Sequence, residues 1–244
     1  MVDKNVITPL YAQIANELRK EILSGKYGLH GCIGTHSQLG ERFGVSLITV
    51  RKAVQVLEKD GIVEILQGKG TFVRQTALVD PLRDLTGISN MMSSMQMEKQ
   101  VSVPVFELRP APETLDRDTA GALGDMPLFI RRVVSVGGVS MANADMYLPG
   151  RFASAFTREE AEKRTIYQIY QDKLGMNLGL GRQIIRAAGA SAEVAHSLGI
   201  APGSPVLQIE RRAYDDRETL IEYMILTYEA SKYCFEVELA LNKE

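Results

Sequence analysis

Three histidines, two cysteines and a net charge of only −2 in 244 residues leave little material for several kinds of chemistry. His30, His36 and His196 fall in expected loops or on an exposed helix and share no nucleophile–base spacing, and no Cys/His pattern has the spacing of a metal site. There is no Gly-x-Ser-x-Gly string, and Gly179-Leu180-Gly181 stands without the rest of a nucleotide-binding loop. No catalytic residue, cofactor or metal is therefore expected. The chain also has no run of about 18 apolar residues, the length that reads as a membrane span. Its start, MVDKNVITPLY, lacks the charged-then-apolar pattern of a secretory signal. These absences point to a cytoplasmic protein. Cys32 and Cys234, far apart and assigned to different domains, are expected as reduced thiols.

The length suits one large or two ordinary domains, and 45% hydrophobic with 24% charged residues is ordinary for a globular chain. Charge is unevenly spread. Up to residue 76 there are ten basic and seven acidic side chains, an excess of +3 that leaves −5 for the remainder. A basic front on an acidic body suits a front that meets a polyanion.

The densest pattern is Ser37–Arg74, SQLGERFGVSLITVRKAVQVLEKDGIVEILQGKGTFVR. It reads as a short helix over Gln38–Phe43, a turn at Gly44, a second helix from Ser46 to Lys59, and a two-stranded hairpin. Ser46 is a good N-cap and Gly61 a good left-handed terminator. Val50, Ala53, Val54 and Leu57 recur at helical spacing and should face a core. Leu47, Ile48, Thr49, Arg51, Lys52, Gln55 and Lys59 are left on the outer faces, the layout of a recognition helix. Upstream, Thr8 caps and Pro9 opens a first helix with Leu10, Ile14, Leu18 and Ile22 on one face and Gly25 at its end.

Pro9-Leu10-Tyr11, Ile14, Leu18, ERFGVS (Glu41–Ser46), TVRKAV (Thr49–Val54), LEKDGI (Leu57–Ile62) and QGKGTFV (Gln67–Val73) occur in order. Residues 8–74 thus resemble the winged helix-turn-helix of GntR-family bacterial transcription regulators. The resemblance implies that Ser37, Ser46, Leu47, Thr49, Arg51 and Lys52 face duplex DNA. It also implies that Gly68, Lys69 and Gly70 form a wing tip entering the minor groove. Two positions depart from the family pattern, because arginines that commonly touch DNA are replaced by Ser37 and Leu47. Each lost arginine removes about 1–3 kcal/mol of base discrimination. Leu47 can instead meet a thymine methyl and change the preferred site.

Beyond this stretch, residues 76–85 read as linker and 86–244 as a second domain. Thr86–Lys99 is expected to be helical, with Ile88, Met91, Met92 and Met95 either packed as filler on a core or forming an adaptable ligand lid. Strands are expected over Val101–Leu108, Leu128–Val136, Val139–Leu148, Val206–Tyr214, Thr219–Tyr228 and Cys234–Leu239. Two hairpin turns separate them, at Gly137-Gly138 and at Asp215–Glu218. Helices are expected over Glu113–Leu123, Thr165–Leu174 and Ser191–Leu198. Such a mixture argues for an antiparallel α+β domain.

The strings SMANADMYLPGRF (Ser140–Phe152), TIYQIYQDKLGM (Thr165–Met176), AHSLGIAPGSPVLQIERRAYD (Ala195–Asp215) and IEYMILTY (Ile221–Tyr228) follow the order of a UTRA domain. This is the effector-binding module of HutC-type GntR regulators, similar in fold to chorismate lyase. The resemblance implies that Arg132 grips an anion, that Ser89 and Asn90 lie on a closing loop, and that Thr165 starts a helix beside the ligand. It also implies that Glu222 and Tyr228 face the pocket; Arg182 is a further candidate. A second arginine and a carboxylate of the family pattern are Val134 and Ala144 here, which favours a small, less hydroxylated anion, a carboxylate or phosphate.

The expectation is a homodimeric repressor, released from a pseudo-palindromic double-stranded DNA operator by an anionic metabolite, with no membrane partner. The alternatives are a chorismate-lyase-like enzyme and a degenerate regulator acting through protein contacts.

Overall fold

The computed structural model describes residues 8–74, 78–80, 99–136 and 138–237. They gather into two units. The first opens with α1 (Leu10–Leu23). Pro9 is not its first helical residue as expected. Its ψ of 141° is extended, so it occupies the cap position with no side-chain cap. β1 (Cys32–Gly34), α2 (His36–Phe43) and α3 (Leu47–Lys59) follow. α2 starts two residues earlier than expected because Thr35 and Gln38 form a reciprocal capping box. Ser46 caps α3 by accepting from the Thr49 amide. Beyond α3 the amides of Gly61 and Ile62 return to the carbonyls of Glu58 and Leu57, and Gly61 takes the left-handed φ of 72° that this ending requires.

β2 (Val63–Leu66) and β3 (Gly70–Val73) complete a three-stranded sheet of order β1-β3-β2. Ile14, Leu18 and Ile22 of α1 join Val50, Ala53, Val54 and Leu57 of α3 in one core with Ile33, Leu39 and Val73. The helix-turn-helix is thus set by the spacing of its apolar residues.

Two polar braces fix α1 against its neighbours. Arg19, 1% exposed, pairs with Asp60 at the end of α3. Glu21 pairs with Lys26 and with Arg42 of α2 and accepts from the Tyr27 hydroxyl at 2.7 Å. Burial pushes the Glu21 carboxyl up, but hydrogen bonds from Arg42, Lys26 and Tyr27 outweigh it and hold the group down at about 2 against 4.5. A depressed carboxylate stabilises the fold above its ordinary range, and that contribution is lost as pH falls through the folded value. Between pH 5 and 2 the first unit should therefore lose about 2 kcal/mol through Glu21, allowing for the solvent-exposed partners. Thermal unfolding of Glu21→Gln should show that much less acid sensitivity; equal sensitivity would remove Glu21 from the account.

The stretch expected as linker contains β4 (Leu78–Asp80), which runs parallel to β11 (Tyr233–Phe235). Leu78 and Tyr233 are buried, and the Tyr233 hydroxyl bonds the Asp80 carboxylate. Residues 231–237 consequently group with the first unit, so Cys234 falls in the same unit as Cys32; both are free thiols. Of the expected 86–99 helix, all but Lys99 lies outside the described residues, and Lys99 begins a strand.

In the second unit β5 (Lys99–Leu108), α4 (Arg117–Leu123), β6 (Leu128–Val136) and β7 (Val139–Leu148) come first. α4 begins four residues later than expected, because Asp116 rather than Glu113 takes the cap and accepts from the Thr119 amide. Then come α5 (Arg158–Lys163), α6 (Ile166–Leu174), β8 (Leu178–Gly189), α7 (Ala192–Leu198), β9 (Pro205–Asp215) and β10 (Leu220–Glu229). The sheet order is β5-β6-β7-β10-β9-β8. The β7–β10, β10–β9 and β9–β8 ladders are antiparallel. α5 and β8 were not expected. Asp215 accepts from the amides of Arg217 and Thr219 and so shapes the β9–β10 turn. A Cβ on Gly179 would stand 2.4 Å from the Asp215 carbonyl oxygen, so only glycine admits β8 beside that turn.

Candidate DNA-reading surface and effector pocket

On α3 the spacing Ile48, Arg51, Lys52, Gln55 lays one exposed stripe along the helix. Ser46 and Thr49 are hydrogen-bonded to each other, hydroxyl to hydroxyl at 2.9 Å. Thr49 is half-buried, while Arg51 and Lys52 are exposed. The Lys52 ammonium lies 4.2 Å from the Tyr11 ring centroid, so a residue of α1 outside the expected DNA-facing set steadies this cation. Ser37 and Leu47 line one notch of about 470 Å³ between α2 and α3. The two helices approach closely there because Gly40 has no side chain; a Cβ would sit 3.3 Å from the Val45 carbonyl oxygen and 3.6 Å from Leu47 Cδ2. At the wing, Gly68 and Gly70 have φ of 75° and 122°, and the Lys69 amide closes the turn onto the Leu66 carbonyl at 2.9 Å. Lys69 is left exposed at the tip.

The register of the large sheet sorts the effector candidates. Glu222 pairs with Ala213, Met224 with Arg211 and Arg211 with Gln183, which puts Glu222, Arg211 and Gln183 on one face. Ala144 and Ala142, opposite Leu226 and Tyr228, share it. Glu222 is fully buried; Oε1 accepts from the Tyr167 hydroxyl of α6 at 2.7 Å, and Oε2 has no partner among the described residues. Burial pushes this carboxyl up, opposed by the charges of Arg211 and Arg132.

Arg132, also buried, donates from Nη2 to the Arg164 carbonyl at 3.2 Å, while its Nε is unpartnered among the described residues. Burial lowers its pKa and the Glu222 charge pulls it back up. Thr165 caps α6, accepting from the Gln168 amide at 3.2 Å, and thus holds the helix start next to the carbonyl that Arg132 reaches. Tyr228 is buried on β10. Tyr167 and Arg211, neither of them a candidate from the sequence, stand with Glu222 in this cluster. Arg211 reaches Gln183 Oε1 at 3.0 Å.

Arg182 does not join this group. It pairs with Arg212 and faces the opposite side, lining an open cleft of about 700 Å³ with Asp116, Thr119 and Tyr214. Asp145, one residue beyond Ala144, is likewise on that other side, locked by Arg131 at 2.7 and 2.8 Å. Ser89 and Asn90 lie outside the described residues.

Residues 10–73 match the bacterial regulatory proteins of the gntR family, and residues 94–234 match the UTRA domain. The chain belongs to the GntR family. Its UTRA domain covers more than half of its length. The GntR chain is 30% identical over 234 residues to the HTH-type transcriptional regulator Rv0792c of Mycobacterium tuberculosis, covering 95% of this chain and 86% of that one. It is 27% identical over 238 residues to the HTH-type transcriptional repressor NagR of Bacillus subtilis, covering 96% of each. The crystal structure of PhnF from Mycobacterium smegmatis has the same fold, with a TM-score of 0.61, 22% identity, and coverage of 94% of this chain and all of that one. This GntR protein is a ligand-responsive, DNA-binding transcription regulator, with operator DNA and a small molecule as its partners. Among the described residues no helix is long and apolar enough to cross a membrane.

Proposed function

We propose that the protein is a cytoplasmic, homodimeric repressor that leaves a pseudo-palindromic operator when a small anion binds beneath the start of α6. One observation carries the effector half. Arg132 Nε and Glu222 Oε2, on groups coupled through their charges, are buried with no partner among the described residues. Each such atom costs about 1–3 kcal/mol while unmet. A ligand offering an acceptor to Arg132 and a donor to Glu222 relieves both, which favours a carboxylate bearing a hydroxyl or ammonium group. Ala144 and the locked Asp145 support a site with fewer polar demands than a sugar phosphate makes.

A single winged helix reads few base pairs, so a two-fold pair is needed for specificity. The edge strand β8, with Leu180, Ile184 and Ile185 exposed, suits a second copy of the chain. Effector and operator are coupled when each favours a different arrangement of the dimer, typically by about 1–3 kcal/mol.

Calorimetric titration with small carboxylates and phosphates, followed by release of bound duplex, tests the reading. Heat and release should be produced by the same compound; binding without release would sink the repressor mechanism. Arg51→Ala should weaken duplex binding about tenfold, reduce the salt slope by about one, and leave the effector heat unchanged. A loss of both activities in that variant would end the two-site division.

A further inference from the structure

α3 buries Val50, Ala53, Val54 and Leu57 completely, yet it opens with the two aliphatic side chains Leu47 and Ile48 in the open, 56% and 81% exposed. Ile48 is the most exposed large hydrophobic side chain among the described residues. The two are not equivalent. Leu47 rests against α2 over Gly40 and lines the notch there, whereas Ile48 heads the stripe that continues through Arg51, Lys52 and Gln55. An isoleucine there is a poor choice for an exposed helix start. Its branched side chain has a lower helix propensity than an unbranched one, and its apolar surface is wet. The same stiffness makes it a good probe, since little rotamer freedom remains to be lost on contact.

The surface that continues this stripe carries cations for phosphates, so what lies opposite its apolar head is the floor of a major groove. The apolar protrusion there is the 5-methyl group of thymine; guanine offers only acceptors, which an aliphatic tip cannot use. We propose that Ile48, seated beside the buttressed Leu47, is a specificity-determining residue that reads thymine through its 5-methyl group. The inference rests on α3 being the groove-reading helix and goes beyond it in naming the chemical group that is read.

The test uses the full-length chain and duplexes that it selects from a random library at low salt. In the selected duplex each thymine is replaced singly by uracil, which removes the methyl and keeps the pairing. At one or two positions uracil should weaken binding about fourfold, the factor for losing one methylene-sized contact. Ile48→Ala should bind the thymine duplex as weakly as the wild type binds the uracil one, and should not distinguish the two. Ile48→Val, which keeps a branched tip, should retain most of the discrimination. Equal binding of thymine and uracil duplexes at every position overturns the proposal, as does undiminished discrimination by Ile48→Ala. Recovery of no duplex is a different failure; it would remove the groove-reading role of α3 and this inference with it.

Discussion

Arg19→Ala is expected to destabilise the DNA-binding unit by about 3 kcal/mol, a large share of the stability of a domain this small. The guanidinium is 1% exposed, takes Asn16 Oδ1 at 2.8 Å as one acceptor, and pairs with Asp60, which ends α3. Removing it leaves a carboxylate with 16% side-chain exposure next to the negative end of that helix, and opens a hole under α1. The cost arises from the abandoned charge more than from the lost attraction. Arg19→Met combined with Asp60→Asn should therefore recover most of the loss. Urea unfolding followed by circular dichroism, with amide exchange across α3, reads both variants. An unchanged midpoint in Arg19→Ala would mean that the apolar core alone holds α1 to α3.

Arg132→Ala should weaken effector binding by about thirtyfold, the loss of a charged hydrogen bond worth about 2 kcal/mol. Its second consequence is a pH dependence. Burial already raises the Glu222 carboxyl, and the Arg132 charge is one of the influences holding it down. Without Arg132 the carboxyl rises further. A carboxyl raised in the folded state favours folding while it is protonated, and that advantage fades as pH climbs from the ordinary carboxylate range through the elevated folded value. The melting temperature of the effector domain in Arg132→Ala should thus fall more steeply than that of the wild type between pH 5 and 8. Adding Glu222→Gln should flatten the curve. A double variant as steep as the single one would show that Glu222 is not the titrating group.

The winged helix was legible almost residue by residue because its signals are local. Ser46 and Gly61 are chemical full stops at the ends of α3, and its core positions recur at 3.6 residues. The effector domain was less legible, and β8 shows why. Leu178–Gly189 is an edge strand exposed along most of its length, with two glycines before its apolar pair, so neither alternation nor β-propensity marks it. Without β8 the side on which Arg182 falls cannot be assigned from sequence; the register puts it on the face opposite Glu222. Arg211 and Arg212 look alike in sequence. Only the register with β10 separates the one beside Glu222 from the one that pairs with Asp116. Tyr167 escaped notice because its partner is 55 positions away. The linker reading failed at Leu78–Asp80 because the strand it pairs with lies at the far end of the chain.

The two atoms at Arg132 and Glu222 that have no partner among the described residues also bear on how long each molecule lasts. An occupied domain is harder to open, by about 2.7 kcal/mol when the compound stands at a hundred times its dissociation constant, and opened domains are what proteases consume. Cells without the compound should clear the regulator faster than cells that contain it. Its abundance, and not its grip on promoters alone, then reports on supply.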